Sequence, residues 1–325
     1  QPDLLLVNDQ DLTYAKIRLD ERSLATLTSG IADIADSLAR SLCWSAAWDM
    51  TRDGEMSTTD YLTLALAGIG SESDSSVTRT VLRQTETAVL IYSAPEKREA
   101  ARRRLADGLA ELLRGSEPGS DNQLQFLRAY ASAAVGDEHL AAVRRVLDGE
   151  DVFEGLQIDT DLRWHLLHQL VAAGRADDEE VDRELDRDDT ATGRRQAAAA
   201  LAARPRAEAK AEAWASVVES DKLPNAVQEA VIAGFVQIDQ RELLAPYTDR
   251  YFEVLADVWS SRSHEMAQQI AVGLYPGIQV SGETLDKTDA WLAATAPGAA
   301  LRRLVSESRA GVERALRAQA ADAGA

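Results

Sequence analysis

A single cysteine in 325 residues, Cys43, excludes an intramolecular disulfide. It lies in the apolar run Leu42-Cys43-Trp44, which predicts a buried thiol and a reducing compartment. No apolar run approaches the ~18 residues a membrane span requires. Gln1-Pro2-Asp3 carries no basic leader region, so neither a span nor a secretory signal is expected and the chain reads as cytoplasmic. The missing initiator Met is read as trimming, or as a start inside a longer gene product. Basic residues are outnumbered 35 to 54, and the net charge of −19 repels phosphate backbones, so no nucleic-acid partner is expected. Aromatic residues reach only 5%, and with few β-branched residues beside them a sheet-based core is disfavoured.

Alanine and leucine carry the apolar content instead, alongside Arg, Glu and Gln, all strong helix formers. At 45% hydrophobic and 27% charged, the chain can bury a core. Its length exceeds the ~250–300 residues at which single cores stop growing, so an elongated array or two subdomains is expected. The first twenty residues differ from the rest. Leu4-Leu5-Leu6-Val7 and Leu12-Thr13-Tyr14-Ala15-Lys16-Ile17-Arg18-Leu19 read as two short strands around a polar turn. Such a hairpin is marginal alone and is expected to fold back on the first helices or to pair with another copy.

From Ser23 onward apolar residues recur at three and four positions, as in Leu24, Leu27, Ile31, Ile34 and Leu38. The pattern predicts helices at 23–49, 57–69, 76–92, 95–114, 122–135, 137–148, 160–173, 177–187, 190–203, 206–219, 224–236, 241–259, 263–273, 282–294 and 299–319. Ser57-x-x-Asp60 and Asp177-x-x-Glu180 look like capping boxes. Pro95, Pro205, Pro224 and Pro297 stand near first turns, and Gly70, Gly115, Gly136, Gly149 and Gly174 suit left-handed helix ends. An irregular crossover is expected from Gly149 to Thr160. Short linkers imply antiparallel neighbours, so the fold class is all-α: a superhelical array of antiparallel helix pairs, a HEAT/armadillo-like solenoid with a short N-terminal β-hairpin remnant. No period is sharp enough to name a repeat.

Four histidines allow the metal question to be worked through. His264-Glu265-Met266-Ala267-Gln268 begins like His-Glu-x-x-His, but Gln268 replaces the second imidazole. His165 and His168 share a helical spacing with no completing acid or cysteine, and one half-buried and one solvated position is expected. His139, after Asp137-Glu138, reads as a surface residue. No Gly-x-Ser-x-Gly elbow or phosphate loop occurs. Asp182, Asp186, Asp188 and Asp189 lack the glycine and terminal Glu of a calcium loop, and Asp189 or Thr190 is expected to cap the next helix. No catalytic or metal-ligating set is therefore assigned. Among the arginine pairs, Arg102-Arg103-Arg104, Arg144-Arg145 and Arg302-Arg303 read mostly as solvated faces paired with acids. Arg194-Arg195 stands out, because the Ala-rich run Gln196 to Ala203 behind it would hold a guanidinium fork still.

Several stretches are more specific. Asp3 to Asp20 resembles the segment joining the β-sandwich to the helical domain of actinobacterial aminopeptidases N, gluzincin zinc metallopeptidases. Asp159 to Leu166, Asp188 to Arg195 and Lys210-Ala211-Glu212-Ala213-Trp214 resemble the middle of that family's C-terminal domain. Gly234-Phe235, Leu244 to Phe252, Val258-Trp259 and Ala300 to Leu304 resemble its end. The resemblance implies that residues 1–22 are a sandwich remnant and linker, and 23–325 the C-terminal helical superhelix. It also implies a non-catalytic lid or bowl over the active site, which restricts peptide access. The zinc, its His-Glu-x-x-His motif and the amine-binding Gly-x-Met-Glu-Asn segment would lie in upstream domains of the same polypeptide, since neither motif occurs here. Partners would be those domains and peptide substrates. Arg194 and Arg195, with Arg163 beside Trp164, become candidates for the peptide's terminal carboxylate, or else pair with local acids such as Asp161 or Asp189. A free-standing helical interaction scaffold and an independent all-α hydrolase are the competing classes.

Overall fold

The computed structural model describes residues 2–325. Helix accounts for 74% of the chain, and no strand occurs among the described residues. Two compact units form, Gln1–Gln157 with Arg314–Ala325, and Ile158–Glu313.

The expected β-hairpin is absent because its two arms bind helices rather than each other. Asn8, with φ 63°, closes the polar turn: its side chain accepts the Thr13 N–H at 2.8 Å and donates to the Thr13 carbonyl at 2.7 Å. Before the turn, the Leu5 N–H donates to Ser23 Oγ (3.0 Å) and Thr26 donates to the Asp3 carbonyl (2.7 Å) on helix α1 (Glu21–Gly30). Beyond it, Ile17 and Leu19 are buried, Lys16 pairs with Asp53 at 2.6 Å, and Arg18 pairs with Asp53 and Glu55. Leu5, Val7, Leu12 and Tyr14 remain exposed.

The predicted helix 23–49 is two helices. Gly30 ends α1, Ile31–Asp33 make a 3-10 turn, and Asp36 caps α2 (Ser37–Asp53) by accepting the Leu38 N–H. The apolar stripe runs through the break because Ile31 is buried in either geometry. It presses on Gly68, where a Cβ would stand 2.3 Å from Ile31 Cγ2. The first unit continues with α3 (Thr58–Gly68), α4 (Ser75–Thr87), α5 (Arg98–Gly115), α6 (Asp121–Ala133) and α7 (Gly136–Asp148). Helix α5 packs on α3 and α6, and α4 on α3 and α6. Cys43, Tyr61, Leu64, Leu109 and Phe126 form the core, with burial pushing the Cys43 thiol up to about 11. The Arg40–Glu72 ion pair is also buried, at 3.0 Å, and Trp44 donates to the same carboxylate.

The second unit holds α8 (Thr160–Ala172), α9 (Asp178–Arg187), α10 (Ala191–Ala203), α11 (Ala207–Trp214), α12 (Asn225–Phe235), α13 (Arg241–Leu244), α14 (Tyr247–Ser261), α15 (His264–Gly273), α16 (Gly282–Thr295) and the first part of α17 (Ala299–Ala323). Within it α8, α10, α12 and α15 form a row, each packed on the next. Helix α4 ends in a π turn (Ala88–Tyr92) and α11 in another (Ala215–Glu219). Residues 241–259, expected as one helix, divide at Pro246, which supplies no N–H to continue α13. Residues 150–159 carry no helix, as expected. Gly136, Gly149 and Gly174 have positive φ, whereas Gly70 and Gly115 do not. Gly70 serves closeness instead: a Cβ there would stand 2.8 Å from Leu112.

Helix C-termini leave carbonyls without intrahelical donors. Here long side chains from neighbouring segments supply them. Arg102, which also lies near Glu86, donates to the Ala133 and Ala134 carbonyls at the end of α6. Gln240 donates to Ala172 (2.9 Å) and Ala203 (2.7 Å), the ends of α8 and α10.

Candidate functional site

The three arginines singled out from sequence lie on α8 and α10, helices that pack together. Arg163 grips Glu184 bidentately, at 2.8 Å and 2.7 Å, and Glu184 is 4% exposed. Arg187 joins the same carboxylate at 3.1 Å. The adjoining Trp164 donates to Asp188 (2.9 Å), whose other oxygen accepts from the Thr190 hydroxyl at 2.8 Å. Thr190 in turn caps α10 by accepting the Gly193 N–H at 3.0 Å. In the first turn of α10, Arg194 pairs with Asp189 and Arg195 donates to the Thr192 hydroxyl at 2.8 Å. Arg194 is exposed and Arg195 half-buried. This cluster is a set of guanidinium groups near a helix start, each held by a local carboxylate or hydroxyl.

The histidines do not converge. His165 and His168 are both half-buried, which differs from the expected one solvated position. Burial, reinforced by His165 and Lys210, drives His168 down to about 4, so it stays a neutral imidazole at pH 7. His264 opens α15 and meets the edge of Trp259, with ring centroids 5.5 Å apart. His139 corrects the surface reading: it is 8% exposed, edge-on to Tyr130, with Nε2 2.9 Å from Asp107. Among the described residues no three His, Cys, Asp or Glu side chains gather where they could hold a metal ion. No helix among the described residues is long and apolar enough to cross a membrane.

Two open grooves flank α5 in the first unit. One, of about 940 Å³, has Leu66 and Phe126 among its lining residues together with Arg103, Arg104 and Glu111. The other, of about 850 Å³, shares Asp107 and Glu111 with it and adds Tyr130 and Phe153. Arg103 is held by Glu99 at 2.8 Å and Arg104 donates to Thr63 at 2.9 Å, so side chains along the rim are already fixed by local partners. Sequence reasoning missed Lys210, which is wholly buried on α11. A solvated lysine is the ordinary expectation in such a charged stretch, and no signal in the local pattern marks it otherwise.

Helix rows, side-chain-capped termini and open grooves define a repeat-like helical domain. The chain belongs to the ERAP1-like C-terminal domain family, whose model matches residues 4–314. It is 61% identical, over all 325 residues, to aminopeptidase N of Streptomyces lividans. It spans 38% of that protein's length.

Proposed function

We propose that this chain is the non-catalytic C-terminal part of a zinc-dependent aminopeptidase, forming the lid or bowl over its active site and limiting which peptides enter. The carrying observation is the 61% identity over the whole chain to 38% of an aminopeptidase N. In this reading the zinc and the water it activates belong to an upstream cytoplasmic catalytic domain. Residues 1–22 dock on a preceding β-sandwich, and the exposed Leu5, Val7, Leu12 and Tyr14 supply the apolar contact. Helical walls exclude water and bulky substrates without needing a nucleophile. The test is a chimera in which this chain replaces the matching 38% of the Streptomyces enzyme. The chimera should cleave short peptides and discriminate against long ones at least tenfold more strongly than the enzyme with the segment deleted. Equal length discrimination by the two would overturn the lid role and leave a scaffold as the better reading.

Arg194 and Arg195, with Arg163 behind them, are assigned to the substrate's terminal carboxylate. A net charge of −19 repels that group unless a local cation meets it. In the chimera, Arg194→Ala and Arg195→Ala should each reduce the preference for a free over an amidated C-terminus by roughly tenfold, the effect of ~1.5 kcal/mol from one charge-assisted bond. Equal losses on both peptides would refute the assignment.

A further inference from the structure

Lys210 is the most deeply buried cation of the second unit, 0% exposed, and among the described residues no carboxylate pairs with it. Its Nζ donates to the Ala202 carbonyl (2.8 Å) near the end of α10 and to the Phe235 carbonyl (3.0 Å) at the end of α12. It also sits 5.6 Å from the centre of the Phe235 ring. A neutral amine has two N–H groups, and both are used. An ammonium has a third, with no oxygen assigned to it here.

At the same end of α10, Gln240 spends both amide N–H groups on Ala172 and Ala203, while its Oε1 is buried and without a partner. Lys210 and Gln240 thus meet successive carbonyls, Ala202 and Ala203, and together tie the ends of α8, α10 and α12. The knot holds one orphan acceptor and one amine able to gain a donor.

We propose that Lys210 and Gln240 form a proton-operated joint: neutral Lys210 keeps the three helix ends tied, and a proton taken from solvent gives it a third N–H that draws Gln240 Oε1 round, releasing the tie between α8 and α10. The charged groups facing the joint favour the neutral form. Arg204, between α10 and α11, is a nearby cation held by Asp178 (2.5 Å) and by Glu212 of α11 itself (3.0 Å). Helix α8 contributes the neutral His168 with His165 beyond it, and α12 contributes its terminal carbonyl and an aromatic face. The carbonyl ends of the two helices favour the cation. Burial outweighs them and, with Arg204, brings Lys210 down to about 7.

The sign follows directly. Between about 7 and the ordinary 10.5 the unfolded chain holds a proton that the folded chain lacks, so stability rises with pH through that window and is lowest below it. The folding equilibrium constant of the wild-type chain, divided by that of Lys210→Met, should climb up to tenfold per pH unit there. Because Met leaves two carbonyls unpaired and can prevent folding, the wild-type protein labelled with carbon-13 at lysine Cε supplies an independent reading. One of its five lysine signals should titrate near neutrality and move with Gln240→Glu, whose carboxylate would hold the ammonium and raise the midpoint by at least two units. Five signals that all titrate near 10 or above in the wild type, or a near-neutral midpoint that Gln240→Glu leaves in place, would overturn the joint.

Discussion

Replacing Asp322 by Ala is expected to destabilise the first unit by about 3–4 kcal/mol. The carboxylate is wholly buried near the end of α17 and accepts the Ala94 N–H at 2.9 Å, the Thr59 N–H at 3.1 Å and the Thr59 hydroxyl at 3.2 Å. Thr59 lies in the first turn of α3, where Ser57 already serves the Asp60 N–H, so two caps share one helix start. Alanine would leave the buried Ala94 donor unmet, at roughly 1–3 kcal/mol, and would remove two charge-assisted bonds together with the favourable placement of an anion at a helix N-terminus. The same α17 end is gripped by Lys97, whose Nζ donates to the Asp322 carbonyl at 2.5 Å, and by Gln319, which reaches the Ile91 carbonyl at 2.7 Å. Urea unfolding followed by tryptophan fluorescence and far-UV circular dichroism would measure the loss, with a fall in melting temperature of roughly 6–16 °C beside it. Thr59→Ala, which removes the hydroxyl and its neighbouring methyl but keeps the Thr59 N–H, should cost about 1 kcal/mol. Equal small losses in the two variants would show that the carboxylate is not what holds this end.

Legibility in the sequence tracked how local each interaction is. Asp177 and Glu180 make the reciprocal capping box their spacing announced, and Thr190 caps α10. Both are decided within four residues. The box at Ser57 is only half formed, because Asp60 meets the Ser57 hydroxyl rather than the backbone. The π turns after α4 and α11 and the break at Ile31–Asp33 keep the apolar side chains facing inward, so the hydrophobic period runs through them unaltered. Three decisive features were invisible because their partners are remote in sequence. Asp322 reaches back to residues 59 and 94, Lys210 reaches forward to 235, and the arms of the first segment exchange a ladder for Ser23 and Asp53. For the candidate site, the local acids expected for these arginines were Asp161 or Asp189, and Asp189 does pair with Arg194. Glu184, the bidentate partner of Arg163, was not legible because it lies 21 positions away on the next helix.

The row of the second unit depends on one glycine, and Gly234→Ala is expected to lose at least ~3 kcal/mol. Helix α12 packs on α10, and Gly234 meets the α10 backbone at Ala199. A Cβ at Gly234 would fall 2.0 Å from the Ala199 carbonyl oxygen and 2.8 Å from its carbon. Those are main-chain atoms inside a helix and have no rotamer by which to withdraw. Overpacking against a side chain typically costs 1–3 kcal/mol after relaxation, and here relaxation means parting two helices. Lys210 pins the end of α12 one residue further on, at Phe235, so the helix cannot slide to make room without breaking that bond as well. Gly311, inside α17 with no atom within 4 Å of an added Cβ, is the internal contrast. There alanine should stabilise by roughly 0.5–1 kcal/mol through helix propensity alone. Paired urea titrations of the two variants would separate the causes: opposite signs are expected, and a Gly234→Ala protein within 1 kcal/mol of wild type would mean that the α10–α12 contact yields more readily than its backbone geometry allows.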